Sequence, residues 1–201
     1  MADPLKRSVD LTLVLSTAIL WLPLIAALAT AVWLVGGRPF FGHVRVGRGG
    51  AAFRCWKLRT MACDADAVLR THLAENPAAA AEWAQTRKLR RDPRVTWLGG
   101  VLRASSLDEL PQLWNVLRGD MSLVGPRPIT RQELRDYGPG AVAYTAVRPG
   151  ITGPWQVRGR NRLSMAERRA YDVEYAQTWS LGGDMRILFR TAIVVLAGTG
   201  L

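Results

Sequence analysis

The chain predicts an α+β protein attached to a membrane, and three observations carry that reading. Residues 11–37 contain no charged side chain and are mostly Leu, Ala, Val, Ile and Trp. Two short β-prone runs flank Gly47-Arg48-Gly49-Gly50. Much of the remainder shows helical apolar spacing interrupted by glycine and proline. The expected arrangement is a re-entrant membrane helix within 1–37. It leads into a unit at 38–201, where surface and amphipathic helices and a small β-hairpin surround a compact core. A chain of 201 residues has room for one modest core, so the two parts are expected to work as one.

The first element follows from length and charge. About 20 apolar residues suffice to cross a bilayer as a helix. A cleaved signal peptide fits poorly, because the apolar run is too long and Asp3 precedes it. Both flanks are basic, with Lys6 and Arg7 before the run and Arg38, Arg45, Arg48, Arg54, Lys57 and Arg59 after it. The positive-inside rule calls for a difference across a spanning helix. Pro23, near the middle, removes one helix hydrogen bond and favours a kink. Together these features favour a bent helix that returns to the side it entered from, with both ends cytoplasmic.

The other elements follow in chain order. Phe40 to Val46 and Ala51 to Leu58 read as a hairpin. Asp64 to Glu75 and Ala78 to Leu89 read as helices broken at Asn76-Pro77, followed by the basic cluster Arg87-Lys88-Leu89-Arg90-Arg91, either a solvated surface or a contact for acidic headgroups. A short helix is expected at Trp97 to Arg103. Leu110, Leu113, Trp114 and Leu117 share one helical face, and Gly119 is placed to end that helix. Ser164-Met165-Ala166-Glu167 resembles a capping box opening a helix to Trp179. Met185 to Leu201 is apolar with Arg186 and Arg190 near its start, which suits either a core helix or one lying on a membrane.

Composition narrows the chemistry. Twenty-seven Lys and Arg against 16 Asp and Glu give a net charge of +11, pointing to a polyanionic partner: nucleic acid, anionic lipid or a phosphate-bearing substrate. Cys55 and Cys63 form no disulfide framework, and a reducing compartment fits best. His43 and His72 make no ligand cluster with them, which argues against zinc and a histidine base. No nucleic-acid-binding motif accompanies the charge.

The densest chemistry lies in Ser105-Ser106-Leu107-Asp108-Glu109-Leu110-Pro111 and the following Gly119 to Pro128 segment. One reading is structural: Ser106-x-x-Glu109 matches a capping box, with Asp108 in the first helical turn. Pro111, which favours the first helical position, instead puts the pair in the preceding turn. The chemical reading uses the same helix end. A carboxylate held there by N–H groups stays ionised and needs no separate base to act as nucleophile. Magnesium binds through one or two carboxylates plus substrate phosphates. Arg103, Arg127 and the Lys57-Leu58-Arg59 group are candidates to grip phosphate.

These two segments, Ser106 to Leu117 and Gly119 to Pro128, resemble the signature of bacterial sugar transferases, more narrowly the monotopic phosphoglycosyl transferases. Further matches are Trp56 to Met61, Arg148 to Gly153 with Gln156-Val157 and Gly159-Arg160, and Tyr175 through Trp179-Ser180. The basic-flanked helix with a central proline belongs to the same pattern. The resemblance implies transfer of a sugar phosphate from a UDP-sugar to a polyprenol phosphate, undecaprenyl phosphate above all. That reaction takes place at the cytoplasmic face of a bacterial inner membrane whose anionic lipids hold the enzyme.

It also implies roles. Asp108 would attack the β-phosphate and release UMP, Glu109 with Asp108 would bind Mg2+, and Arg103 would contact phosphate. Lys57, Arg59, Arg127, Gln156 and Arg160 match motif positions expected to bind substrate. No multi-spanning N-terminal region is seen, so a minimal catalytic form is expected. Pro154 and Gly182-Gly183 stand where bulky apolar residues are common, which puts the local packing there in question. The sugar and the oligomeric state stay open, a homodimer included. The rivals are a membrane-anchored scaffold and a nucleic-acid-binding protein; nucleic acid is not the expected partner.

Overall fold

The protein was analysed as a computed structural model, in which residues 4–35, 37–86, 88–159 and 162–196 are described. Helices α1 (Pro4–Ser16) and α2 (Ala18–Leu34) meet at 63°. Among the described residues no single helix is long and apolar enough to cross a membrane, whereas this bent pair passes by length and composition. The break lies at Thr17 and not at Pro23, which sits inside α2. Trp21 explains the difference. Its indole Nε1 donates to the carbonyl of Val14 at 2.9 Å, and the Thr17 hydroxyl donates to Leu13 at 2.6 Å. Side chains that enter the i→i−4 ladder bend a helix there.

Despite its apolar neighbour, α1 is bolted to the core by charged groups. Arg7 donates to the carbonyls of Val116 and Leu117, at 2.5 and 2.8 Å. Buried Asp10 accepts from the amide of Leu123 at 3.1 Å. Lys6 pairs with buried Asp184 at 2.5 Å. The face of α2 bearing Ile19, Leu20 and Leu22 is exposed.

Strands β1 (Phe40–Val46) and β2 (Ala52–Leu58) form the expected antiparallel hairpin, in register from Phe40↔Leu58 to Val46↔Ala52. Helices α3 (Ala65–Glu75) and α4 (Pro77–Thr86) follow, with Pro77 opening the second. Next come α5 (Trp97–Ala104), a 3-10 turn at Leu107–Glu109 and α6 (Gln112–Arg118), which ends at Gly119 in the left-handed region at φ 84°. A second, two-stranded sheet was not expected. β3 (Ser122–Val124) pairs in parallel with β4 (Gly150–Thr152), with α7 (Arg131–Arg135) and α8 (Gly140–Ala146) between them.

Helix α9 (Pro154–Arg158) starts on buried Pro154, since proline suits a first turn that needs no donor. Helix α10 (Met165–Thr178) opens on Ser164 with both halves of a capping box formed. Helix α11 (Leu181–Leu196) begins before Met185, because the Ser180 hydroxyl accepts from the amide of Gly183 at 3.1 Å. One side of α11 docks on α9 and the β3–β4 sheet, while Met185, Phe189 and Ile193 are exposed.

Three apolar clusters make the core. Val14 and Trp21 of the N-terminal pair lie with Cys55, Val116 and Met121. Val32 lies with Leu58 and Leu102, and Val46 with Ile129 and Tyr144. The N-terminal helices therefore fill two of the three.

Candidate active site

The carboxylate pair is held in the 3-10 turn ahead of α6, with Pro111 immediately before that helix. The capping box expected at Ser106 does not form: Ser106 adopts φ 58° and ψ 16°, and its side chain caps nothing. It is the one non-glycine residue with positive φ among the described residues. Such strained turns concentrate at functional sites. Here the twist turns Asp108 inward, leaving it 8% exposed.

Lys57 faces both acids. From near the end of β2, it places its Nζ 2.5 Å from Glu109 Oε1 and 3.7 Å from Asp108 Oδ2. Burial raises the Asp108 pKa above the usual carboxylate value, and Glu109 adds to the rise, while Lys57 and Arg103 oppose it. The sequence led us to expect helix N–H groups to hold this acid low. Asp108 lies before α6 and is buried, so desolvation outweighs the backbone's contribution. Cys55 borders the same cleft, but burial pushes its thiol up to about 11. It is no thiolate nucleophile at neutral pH.

The cleft, about 780 Å³, is lined by Lys57, Arg59, Arg103, Asp108, Glu109 and Arg127 among others. Six residues chosen from four places in the sequence thus meet in one cleft. Arg103 Nε donates to the Thr60 hydroxyl at 2.9 Å, and Arg59 Nε donates to the Arg38 carbonyl at 2.9 Å. The Arg127 guanidinium lies 5.8 Å from the Trp155 ring, with Arg168 4.7 Å from the same ring. Gln156 does not line the cleft. One step along α9 from Trp155 turns the side chain by about 100°, so that Gln156 sits against Gly153 instead. Arg160 lies outside the described residues.

Sequence reasoning missed Asn115, Arg45 and Arg94. Asn115 is 1% exposed. It accepts from the Trp56 amide at 3.0 Å and donates to the Arg54 carbonyl at 2.8 Å, acting as a short extra strand beside β2. That clamp fixes the segment carrying Lys57. Arg45 and Arg94 line the cleft from β1 and from the loop before α5. Arg94 is braced by Asp92 at 2.6 Å and by the Trp83 ring at 4.9 Å. An Asn in an apolar helical stretch was the available signal for the clamp.

Comparison with known proteins assigns this arrangement to a family. Residues 1–198 match the family described as bacterial sugar transferase. The exopolysaccharide production protein ExoY of Rhizobium meliloti is 47% identical over 196 residues, covering 97% of this chain and 87% of that protein. The undecaprenyl-phosphate galactose phosphotransferase of Salmonella typhimurium is 46% identical over 196 residues, 98% of this chain but 41% of that protein. This chain therefore spans less than half of that relative. The UDP-glucose:undecaprenyl-phosphate glucose-1-phosphate transferase of Caulobacter vibrioides is 42% identical over 198 residues, 94% of this chain and 68% of that protein. Matched along nearly its whole length, the chain belongs to the bacterial sugar transferase family.

Proposed function

We propose that this chain transfers a sugar phosphate from a UDP-sugar to a polyprenol phosphate, working at the cytoplasmic face of a bacterial inner membrane. The observation that carries the reading is buried Asp108 beside Lys57 in a cleft otherwise rich in arginine. The activities for which the Salmonella and Caulobacter relatives are named support the two substrates. The bent, apolar α1–α2 pair supports a re-entrant attachment, with anionic lipids held by the surrounding basic surface.

The steps follow from the groups present. A carboxylate oxygen of Asp108 attacks the β-phosphorus of the donor, and the bond from that phosphorus to the bridging oxygen breaks. UMP leaves with the bond's electron pair, and the sugar phosphate stays on Asp108. A lipid phosphate oxygen then attacks the same phosphorus. The aspartyl bond breaks, giving the lipid diphosphate sugar and the free carboxylate. Arg103 and Arg59 orient phosphate oxygens, and Lys57 balances charge at the acid pair.

The donor set suits magnesium. Two adjacent carboxylates, without a third acidic, His or Cys ligand around them among the described residues, match an ion that completes its shell with phosphate oxygens and water. Glu109, with Asp108 beside it, would hold it. When bound, the ion supplies positive charge to the phosphoryl oxygens.

The test is a panel of UDP-sugars with magnesium and no lipid acceptor. UMP release and an intact-mass increase of one phosphosugar are expected with the preferred donor. Absence of both with every donor would overturn the reading. A pH profile adds a sharper check. Asp108 attacks only as a carboxylate, so single-turnover UMP release should fall on acidification at a pH above its ordinary value of 3.8. Lys57→Met removes a charge that lowers this pKa, so the acid limb should move to higher pH. A limb that stays in place would show that Lys57 does not tune Asp108.

A further inference from the structure

A second cavity, about 210 Å³, opens off the cleft, and the two share Arg59, Met61, Ala62 and Cys63. Its far wall is the last turn of α2 with Val32 and Val35, and its side is Leu98 of α5. We infer that this side pocket takes the phosphate-proximal isoprene units of the lipid acceptor, with Arg59 at the junction holding its phosphate. The inference rests on the acceptor class given above and adds where its hydrocarbon goes.

Three features select a hydrocarbon over a sugar or a nucleoside. Val32, Val35, Met61, Ala62 and Leu98 present carbon, with Asp64 and Thr96 the polar members of the lining beyond the shared wall. Thr96 is partly engaged, since its hydroxyl accepts from the Gly99 amide at 2.9 Å and its amide donates to the Thr60 carbonyl, which leaves the hydroxyl hydrogen as its one donor. A sugar ring in such a place could pair with Asp64 and Thr96 on one side but would leave its hydroxyls facing Val32, Val35 and Leu98 unpaired, at the cost of burying them. Arg59 is held at the junction by its bond to the Arg38 carbonyl and by the Phe41 ring 5.5 Å away. A phosphate gripped there lies in the cleft with Asp108, and its alkyl chain is directed away from it.

The pocket is too small for a long polyprenyl chain. The remainder must leave beside the end of α2, where Trp33, Leu34 and Val35 are exposed, near exposed Trp97 at the start of α5. That exit is continuous with the apolar surface of the bent helix pair. A lipid therefore reaches Asp108 without its tail crossing the arginine-rich part of the cleft.

Two measurements test this on the full chain in detergent. Val35→Trp narrows the pocket and should raise the apparent KM for undecaprenyl phosphate about tenfold, a loss of about 1.4 kcal/mol. UMP release without acceptor should keep its wild-type rate. An unchanged KM, or an equal fall in acceptor-free UMP release, overturns the inference. The second uses Cys63, which is exposed on the shared wall, with buried Cys55 as internal reference. Undecaprenyl phosphate should slow N-ethylmaleimide labelling of Cys63, and inorganic phosphate at the same concentration should not. No protection, or equal protection by both, overturns it. Should the wild type release no UMP with any donor, the transferase reading fails, while Cys63 protection still reports on the pocket.

Discussion

Asp108→Asn should abolish the covalent phosphosugar and cut turnover by about a thousandfold or more, about 4 kcal/mol of transition-state stabilisation. The amide has nearly the same shape, so the 8% exposed position still accepts it. It lacks the anionic oxygen that the proposed attack on phosphorus requires. Lys57 keeps its 2.5 Å contact with Glu109, and removing a buried charge whose pKa is raised by desolvation costs the fold little. Intact mass with the preferred donor, UMP release and thermal unfolding measured together separate these effects. Near-normal turnover by a folded variant would show that another group carries the phosphosugar.

The second large effect comes from a residue without functional groups. Gly99 lies where α5 presses on the chain at Thr60, and a Cβ there would stand 2.0 Å from the Thr60 carbonyl oxygen. Gly99→Ala forces α5 and the Thr60 segment apart. That breaks the hydrogen bond from the Thr96 N–H to the Thr60 carbonyl and the one from Arg103 Nε to the Thr60 hydroxyl. Overpacking against a backbone typically costs about 1–3 kcal/mol and occasionally more, so a lower Tm is expected together with a weaker hold on donor phosphate. Gly100, the next residue, meets nothing within 4 Å. Gly100→Ala should be neutral or gain about 0.5–1 kcal/mol from helix propensity. If both variants unfold at the same temperature, the close approach at Gly99 is not holding the cleft together.

Local signals read well where one short stretch decides the outcome. The hairpin, the capping box at Ser164 and the helix end at Gly119 depend on residues adjacent in sequence, and all formed. The same local rules failed at Ser106, where a capping box was as good a reading of the letters. Asp108 is pulled inward toward Lys57 and Arg103, and Ser106 takes a left-handed conformation to allow it. The bend at Thr17 was misplaced to Pro23 because the deciding group, the Trp21 indole, acts on a carbonyl seven residues away. The β3–β4 pairing joins three-residue strands 28 positions apart, too short and too distant for periodicity to show. Lys57, Arg59, Arg103 and Arg127 were legible as motif members. Their convergence depends on Asn115 and Gly99, whose letters carry no catalytic signal.

The salt links and hydrogen bonds of α1 bear on how the protein can be handled. Lys6, Arg7 and Asp10 join it to Asp184, to the end of α6 and to β3, and Val14 and Trp21 fill the cluster behind β2. The greasy N-terminal segment is thus a structural member, and trimming it to obtain a water-soluble enzyme would hollow out the part meant to be kept. Asp184 would remain buried beside Tyr175 and Trp179 with its lysine gone. Useful engineering for solubility would leave 4–34 in place and recolour only the outward positions Ile19, Leu20 and Leu22.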